Sequence, residues 1–423
     1  MSEFRHTQVI PRGMTTKNYW RSVLAVLSGT AMAQALPVLG SLIIVRLYAP
    51  EDFGIYSAWL GAVSMVAIVL TGRFELALAL EADGPPRKIA VFAALLTLLA
   101  AFALLCSALL LFWLLMPDFF TSTSLALAAA FAPTALLIAS VQIWLSWAAA
   151  EGSYRTLSQL RIIQAGGITV LQLLAGIGFA SAESLAAAHL LGLLLATLAA
   201  LHQLPLPLPA PPRAPLVLAF WSKHRRFPLL ALPADSLNMA CAQLPLLIVA
   251  SRFGAEFAGY LALTMRTLGV SFGLLGTAVL DVFKRQASNS YRENGDCKDD
   301  FVRTFRMLML GSVLACSAIA LVSEDLFALG FGERWRTAGL IALWMLPLYA
   351  LRLVASPLSY TFYIAGKQHL DLVWQIGLLA MTLSTLYLPP SPAAALQLYS
   401  LGYSFMYVVY LILSYRFSLG VAR

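Results

Sequence analysis

Charge is excluded from long stretches of this chain. Twelve apolar runs, at about 22–45, 55–80, 89–116, 124–148, 159–180, 184–203, 229–250, 257–283, 303–323, 338–365, 371–388 and 395–417, are of a length to cross a bilayer. A helix needs about 20 mostly apolar residues to do so. The expected fold class is therefore an all-α integral membrane protein with 12 transmembrane helices. Composition agrees: 60% of the 423 residues are hydrophobic and 11% are charged, against about 25% charged in soluble domains.

The net charge of +8 is a matter of topology. Lys and Arg fall in short gaps between apolar runs and no nucleic-acid motif accompanies them, so no nucleic-acid partner is expected. Most basic residues map to one side when the N-terminus is cytoplasmic, leaving Arg46, Arg252, Arg334 and Arg336 on the other. Basic loops face the cytoplasm, and an even number of spans returns Arg416 and Arg423 there as well. Both termini are expected in the cytoplasm. The apolar run after Arg5, Arg12 and Lys17 is too long for a signal-peptide core, so it reads as the first span.

Two basic-side loops are distinctive. Segment 204–228 combines Pro205, Pro207, Pro209, Pro211, Pro212 and Pro215 with Lys223, His224, Arg225 and Arg226. Repeated proline favours an extended linker. It divides the chain into an N-terminal six-helix bundle (1–203), the linker (204–228) and a C-terminal six-helix bundle (229–423). Segment 284–302 is the most charged of the chain and reads as a solvated positive-inside anchor, or else as a contact for lipid headgroups. Cys106, Cys241, Cys297 and Cys316 show no paired spacing, which indicates neither a disulfide framework nor a metal site; three read as small apolar residues and Cys297 as a loop thiol.

The halves repeat one another weakly. AQALPVLGSLIIVRLYAPEDFGIY (33–56) and AQLPLLIVASRFGAEFAGY (242–260) each place a glutamine (Gln34, Gln243) ahead of a proline, then a basic residue, an acid, a glycine and a tyrosine. Six spans separate the copies, so both run the same way. Such a parallel repeat is related by an axis along the membrane normal, with a substrate site between the halves.

Arg73, Arg266 and Arg352 are the basic residues set well inside apolar runs, away from the ends that hold Arg161, Arg303, Arg306 and Arg416. A guanidinium stays protonated in a protein. At mid-bilayer it costs about 2.5–3.5 kcal/mol on insertion scales and usually faces an interior cavity. By position Arg266 and Arg352 lie near the middle of their spans, and Arg73 lies about seven residues from one end of span two. The acids Glu75, Asp235 and Asp281 lie nearer the basic side, which leaves the midplane basic. Arg73 and Glu75, two apart on one helix, are expected to face different sides and not to pair.

The strings SGTAMAQALPVLGSLIIVRLYAPEDFG (28–54) and TGRFELALAL (71–80) resemble the N-terminal signature of bacterial oligosaccharide flippases. FPLLALPADSLN (227–238), FGAEFAGYLALTMR (253–266) and RLVASPLSYTFYIAGKQ (352–368) are similar to later stretches of the same family. This resemblance, to the O-antigen/polysaccharide (Wzx-type) flippases of the multidrug/oligosaccharidyl-lipid/polysaccharide (MOP) exporter superfamily, covers nearly the whole chain. It implies a MATE-like fold of two six-helix bundles around a central cavity in the bacterial inner membrane. It implies as substrate an undecaprenyl-diphosphate-linked oligosaccharide, moved from the cytoplasmic to the periplasmic leaflet. Membrane lipids, a polysaccharide polymerase and a chain-length regulator are the implied partners.

For such a substrate, arginine's planar fork suits the diphosphate. Arg266 and Arg352 are the expected deep anion site and Arg73 the residue that first receives the diphosphate; the structural alternative pairs each with an acid or with helix-end carbonyls. Gln34, Asn238 and Gln243 are the amide candidates for sugar contact, or else bridge helices. Tyr349, Tyr360, Phe362 and Tyr363 offer aromatic faces to a sugar, or else pack or face lipid. Pro37, Pro133, Pro233, Pro245, Pro347 and Pro357 fall within spans and favour kinks. Glu75, Asp235 and His189 are the candidates for coupling to H⁺ or Na⁺, which the sequence leaves open. No other cofactor is expected.

Two rivals carry different signatures. A drug/cation antiporter of the same superfamily calls for an acidic or aromatic cavity, whereas the deep charges here are basic. A membrane polymerase or ligase acting on lipid-linked sugars calls for catalytic groups on a substantial outer loop, and the longest such segment is about 14 residues, 324–337. No phosphate-cradling glycine loop supports ATP-driven pumping. A non-enzymatic transporter is the expected class.

Overall fold

The computed structural model describes residues 36–37, 39–116, 124–205 and 214–420. Among them, 11 helices are long and apolar enough to cross a membrane. The described part of the first expected span, α1, ends at residue 47. It is followed by α2 (Pro50–Leu70), α3 (Pro85–Leu115), α4 (Leu125–Ala150), α5 (Tyr154–Gly178), α6 (Ala182–Gln203), the short α7 (Ala214–Lys223) and α8 (Leu232–Phe253). Then come α9 (Ala255–Asn294), α10 (Lys298–Phe331), α11 (Arg336–Leu358), α12 (Gln368–Tyr387) and α13 (Pro392–Ser418). The protein is an all-α, multi-pass membrane protein. Exposed leucines and phenylalanines such as Leu104, Leu115, Leu321, Leu329 and Phe405 face outward, where an apolar bilayer makes their exposure favourable.

Packing groups the helices. Helices α2 to α6 pack among themselves, as do α8 to α13, and α2 crosses between the groups to lie against both α8 and α9. The crossing is close at the first turns of α2 and α9. A Cβ on Gly54 would overlap the Ala255 carbonyl oxygen, and one on Gly259 would overlap the Pro50 carbonyl oxygen. Pro50 opens α2 and Ala255 opens α9, so each glycine is the fifth residue of its helix. The two contacts are reciprocal, as a two-fold relation between the repeats requires. At the same end, Trp335 donates from Nε1 to the Val45 carbonyl at 2.6 Å. Arg46 donates from Nη2 to the Leu329 carbonyl at 2.8 Å. This end, opposite the Lys/Arg-rich segments, is sealed by contacts between the two groups of helices.

Several expectations are corrected. Span two does not run from 55 to 80: α2 stops at Leu70, and Gly72 (φ 56°) and Arg73 (φ 61°) both adopt the left-handed conformation, which ends an α-helix. A 3₁₀ turn, Phe74–Leu80, follows. Segment 284–302 is not a loop but the end of α9 and the start of α10, joined at Gly295 (φ 82°). Its Lys, Arg, Gln and Glu residues are good helix formers. Segment 324–337 likewise shortens, because α10 continues to Phe331. The basic stretch after the prolines is helical as well, with α7 docked on α3 and a π-turn, Phe227–Ala231, leading into α8. Cys297 is buried rather than a free loop thiol, its N–H bonded to the Ser418 carbonyl at 2.8 Å. Cys106, taken for a buried residue, is exposed on the apolar outer surface.

Replacing Gly54 or Gly259 with alanine is expected to push α2 and α9 apart. The obstructing atoms are backbone and cannot rotate away, so a loss of about 1–3 kcal/mol is expected from overpacking. Thermal unfolding in detergent measures it. Gly311→Ala, which meets no atom within 4 Å, should be neutral.

Candidate functional site

The helix break at Gly72–Arg73 places the Arg73 side chain at the basic end of α2, aimed at α8. Asp235, in the first turn of α8, accepts a hydrogen bond from Arg73 Nε at 2.6 Å and forms an ion pair with Nη2 at 2.6 Å. Glu75 Oε1 accepts from Nη1 at 2.9 Å. The expectation that Arg73 and Glu75 do not pair is therefore wrong: they do not share an α-helix, and a left-handed residue followed by a 3₁₀ turn brings side chains two apart together. The Arg73–Asp235 pair joins the first group of helices to the second. Glu75 Oε2 is buried and has no partner among the described residues. Thr71, Arg73, Glu75, Gln142, Asp235 and Asn238 help line a cavity of about 370 Å³ here.

Above it lies a cavity of about 450 Å³ between α2, α5, α6, α8 and α9, sharing Ser64 with the first. Arg266 of α9 projects into it and donates from Nη2 to the Pro37 carbonyl of α1 at 2.7 Å. Among the described residues, no acid lines this cavity. Gln243 lines it on the α8 side. On the opposite wall, the Tyr56 hydroxyl accepts from Gln172 Nε2 at 2.8 Å and lies 2.7 Å from His189 Nδ1. Gln172 in turn is held by Tyr48, whose hydroxyl donates to the Gln172 carbonyl at 2.9 Å. Arg266 thus meets a polar wall built by the other group of helices.

Arg352 occupies a third place, within the second group. Two smaller cavities, of about 130 and 200 Å³, flank its side chain, and among the described residues neither is lined by an acid. Protein surrounds Arg352 on most sides, yet its side chain is accessible because it projects into those openings. Tyr399, Tyr403 and Tyr407 succeed one another on one face of α13, and with Tyr349 they lie near the guanidinium. The cavities adjoin: Asn238 lines both the Arg73 and Arg352 cavities, while Ala242 and Met265 line both the Arg352 and Arg266 cavities. A path of adjacent cavities therefore runs past all three arginines.

The structure gathers the expected residues unevenly. Arg73, Glu75, Asp235 and Asn238 share one cavity; Arg266, Gln243 and His189 share another; Arg352 meets Asn238 in a third. Gln34 lies outside the described residues. Of the span-ten aromatics, Tyr349 reaches the Arg352 cavities, while Phe362 is buried and stacked on Tyr410 at 4.5 Å, which makes it a packing residue. The Tyr399–Tyr403–Tyr407 row escaped the sequence reading although its four-residue spacing is visible in YSLGYSFMY. Tyr56 and Gln172 escaped it because nothing local marks them as partners of His189.

A second polar cluster lies at the same end, away from this path. Glu81 Oε1 accepts from Lys223 Nζ and contacts His224 Nε2, both at 2.6 Å. Burial raises the Glu81 carboxyl, but the bonds from Lys223 and His224 outweigh it and hold the group below its ordinary value. A depressed carboxylate stabilises the fold fully above its unfolded value and loses that contribution as pH falls through the folded one. Docking of α7 is therefore expected to weaken at acidic pH. Tryptophan fluorescence of Trp221, whose Nε1 donates to Thr97 at 3.0 Å, measures this, and Glu81→Gln should abolish the pH dependence.

Asp235→Ala is expected to cost about 1–2 kcal/mol. That is less than the 3–5 kcal/mol typical of breaking a buried pair, because Arg73 retains Glu75. Thermal unfolding tests the loss. The same variant should speed thiol labelling of a cysteine placed at Ser64, in a chain lacking its native cysteines.

Similarity to known proteins agrees with this architecture. A comparison with curated protein sequences finds no significant match. Among solved structures, the lipid II flippase MurJ in an inward closed conformation superposes with a TM-score of 0.72 at 12% identity, over 93% of this chain and 87% of that one. An inward-facing multidrug resistance MATE family transporter of the MOP superfamily superposes at 0.68 and 13% identity, over 93% and 98%. The fold is that of MOP superfamily transporters. Residues 43–339 match the sequence model of the polysaccharide biosynthesis protein family, and the chain belongs to that family.

Proposed function

We propose that this protein is a flippase for an undecaprenyl-diphosphate-linked oligosaccharide, serving O-antigen or another surface polysaccharide. The observation that carries the proposal is the pair Arg266 and Arg352, which project into adjacent cavities lined, among the described residues, by no acid. A permanent cation without a carboxylate attracts an anion, and a diphosphate offers the multiple acceptors that guanidinium groups bind best. A cation antiporter has no use for that charge pattern. Asn238, Gln243 and the tyrosines around Arg352 supply hydrogen-bonding and stacking groups for the sugars.

Arg73 has a different part. Its two acids satisfy it in the absence of substrate, so a diphosphate arriving from the cytoplasmic leaflet competes with Asp235 for the guanidinium. Winning that competition would break the contact between α2 and α8. Alternating access then amounts to the N-terminal bundle (1–203) rocking against the C-terminal bundle (229–423) about the Gly54–Gly259 crossing, with the linker 204–228 between them. In this reading the Lys/Arg-rich end is cytoplasmic, the membrane is the bacterial inner membrane, and release at the periplasmic leaflet hands the substrate to a polymerase and its chain-length regulator. His189, Glu75 and Asp235 are the groups able to couple the cycle to H⁺ or Na⁺. Collapsing each gradient separately in proteoliposomes identifies the ion; no response to either would assign the driving force to the substrate's own gradient.

Replacing both deep arginines, Arg266→Gln with Arg352→Gln, should lower translocation by at least about tenfold, since each lost charge-assisted bond is worth about 1.5–3 kcal/mol. Lipid-linked oligosaccharide should accumulate on the inner leaflet of cells carrying the double variant. Unimpaired export would overturn the proposal.

A further inference from the structure

A second opening lies on the outside of the second group of helices, away from the arginine path. It is a groove of about 720 Å³ between α10, α11 and α13. Its walls are Phe301, Phe305, Met309, Leu351, Leu411 and Ile412 with their neighbours, and the charged residues that line it are Arg306 and Arg416. Both arginines are exposed, and neither makes an ion pair among the described residues. Helix α10 begins and α13 ends beside one another, as the Cys297–Ser418 backbone bond requires. The two arginines therefore stand near the basic end of the groove. From Val408 to Leu419 the apolar wall extends about 16 Å along α13.

We propose that this groove holds one anionic phospholipid, with an acyl chain along the apolar wall and its phosphate between Arg306 and Arg416. Charge complementarity selects the headgroup: two unpaired guanidinium groups at the interfacial end of an apolar slot meet a phosphate at the depth where a lipid carries it. The groove opens outward beside Met307, Leu310 and Val408, which are exposed on the bilayer-facing surface. Its occupant is a resident lipid and not the transported molecule. Leu351 lines the groove while the adjacent Arg352 projects into the inner cavities, so α11 and α13 form a wall between a phosphate held here and the translocation path.

Native mass spectrometry of the purified full-length protein, titrated separately with phosphatidylglycerol, phosphatidylcholine and undecaprenyl phosphate, tests this. One phosphatidylglycerol is expected to bind in preference to phosphatidylcholine. The double variant Arg306→Gln/Arg416→Gln should weaken it about thirtyfold, as expected for loss of two interfacial charges. Arg306→Lys/Arg416→Lys should restore most of the affinity, which separates lost charge from misfolding, and Met309→Trp should block the groove. Equal binding of phosphatidylcholine would overturn the proposal, as would full phosphatidylglycerol binding by the glutamine variant. Displacement of phosphatidylglycerol by equimolar undecaprenyl phosphate would also overturn it, since the groove would then be a carrier site.

Discussion

A guanidinium buried in a membrane protein must be met by an acid, a carbonyl, water or an anionic ligand, and the three intramembrane arginines meet that constraint in three ways. Arg73 takes two carboxylates. Arg266 takes one carbonyl and opens the rest of its donors to a cavity. Arg352 lies near tyrosines and is flanked by two cavities. An arginine has five donors, so among the described residues the last two retain most of theirs for something else. The arrangement of helices around the path follows from keeping those donors accessible while the outer surface stays apolar.

The crossing of α2 and α9 makes such a path compatible with a sealed membrane. Two glycines at equivalent places in the repeats allow backbone to touch backbone, and small residues at a helix interface have this effect generally. The opposite end is held by an ion pair, Arg73–Asp235, in place of close-packed backbone. A backbone crossing offers no group that a ligand can displace, whereas an ion pair can exchange its acid for another anion. The two ends therefore differ in kind, and the softer one lies at the Lys/Arg-rich side.

Much of this was legible in the residues. The apolar runs located the spans, and the rarity of charge within them drew attention to Arg73, Arg266 and Arg352. The weak repeat ends each copy in a glycine and a tyrosine, and those glycines are Gly54 and Gly259. Less legible were features set by one or two backbone angles or by distant partners. The left-handed Gly72–Arg73 pair ends α2 early and reverses the inference about Glu75, and hydropathy is blind to it because the residues on either side remain apolar. Hydropathy also misjudged 284–302, where charge reads as loop although the same residues are good helix formers that carry α9 beyond its apolar portion. Tyr56, Gln172 and His189 lie far apart in sequence and meet only through packing of α2, α5 and α6. The outer groove has no local signature, since its two arginines belong to the general excess of basic residues at that end.

The central claim is that Arg266 and Arg352 bind the diphosphate of a lipid-linked sugar within the adjacent cavities. An experimentally determined structure of the protein with a diphosphate-linked lipid oligosaccharide addresses it most directly. Diphosphate density against the guanidinium groups of Arg266 and Arg352, with sugar beside Asn238 or Gln243, is the expected result. Density for the diphosphate elsewhere, with both arginines turned to carbonyls or acids of the protein, would contradict it.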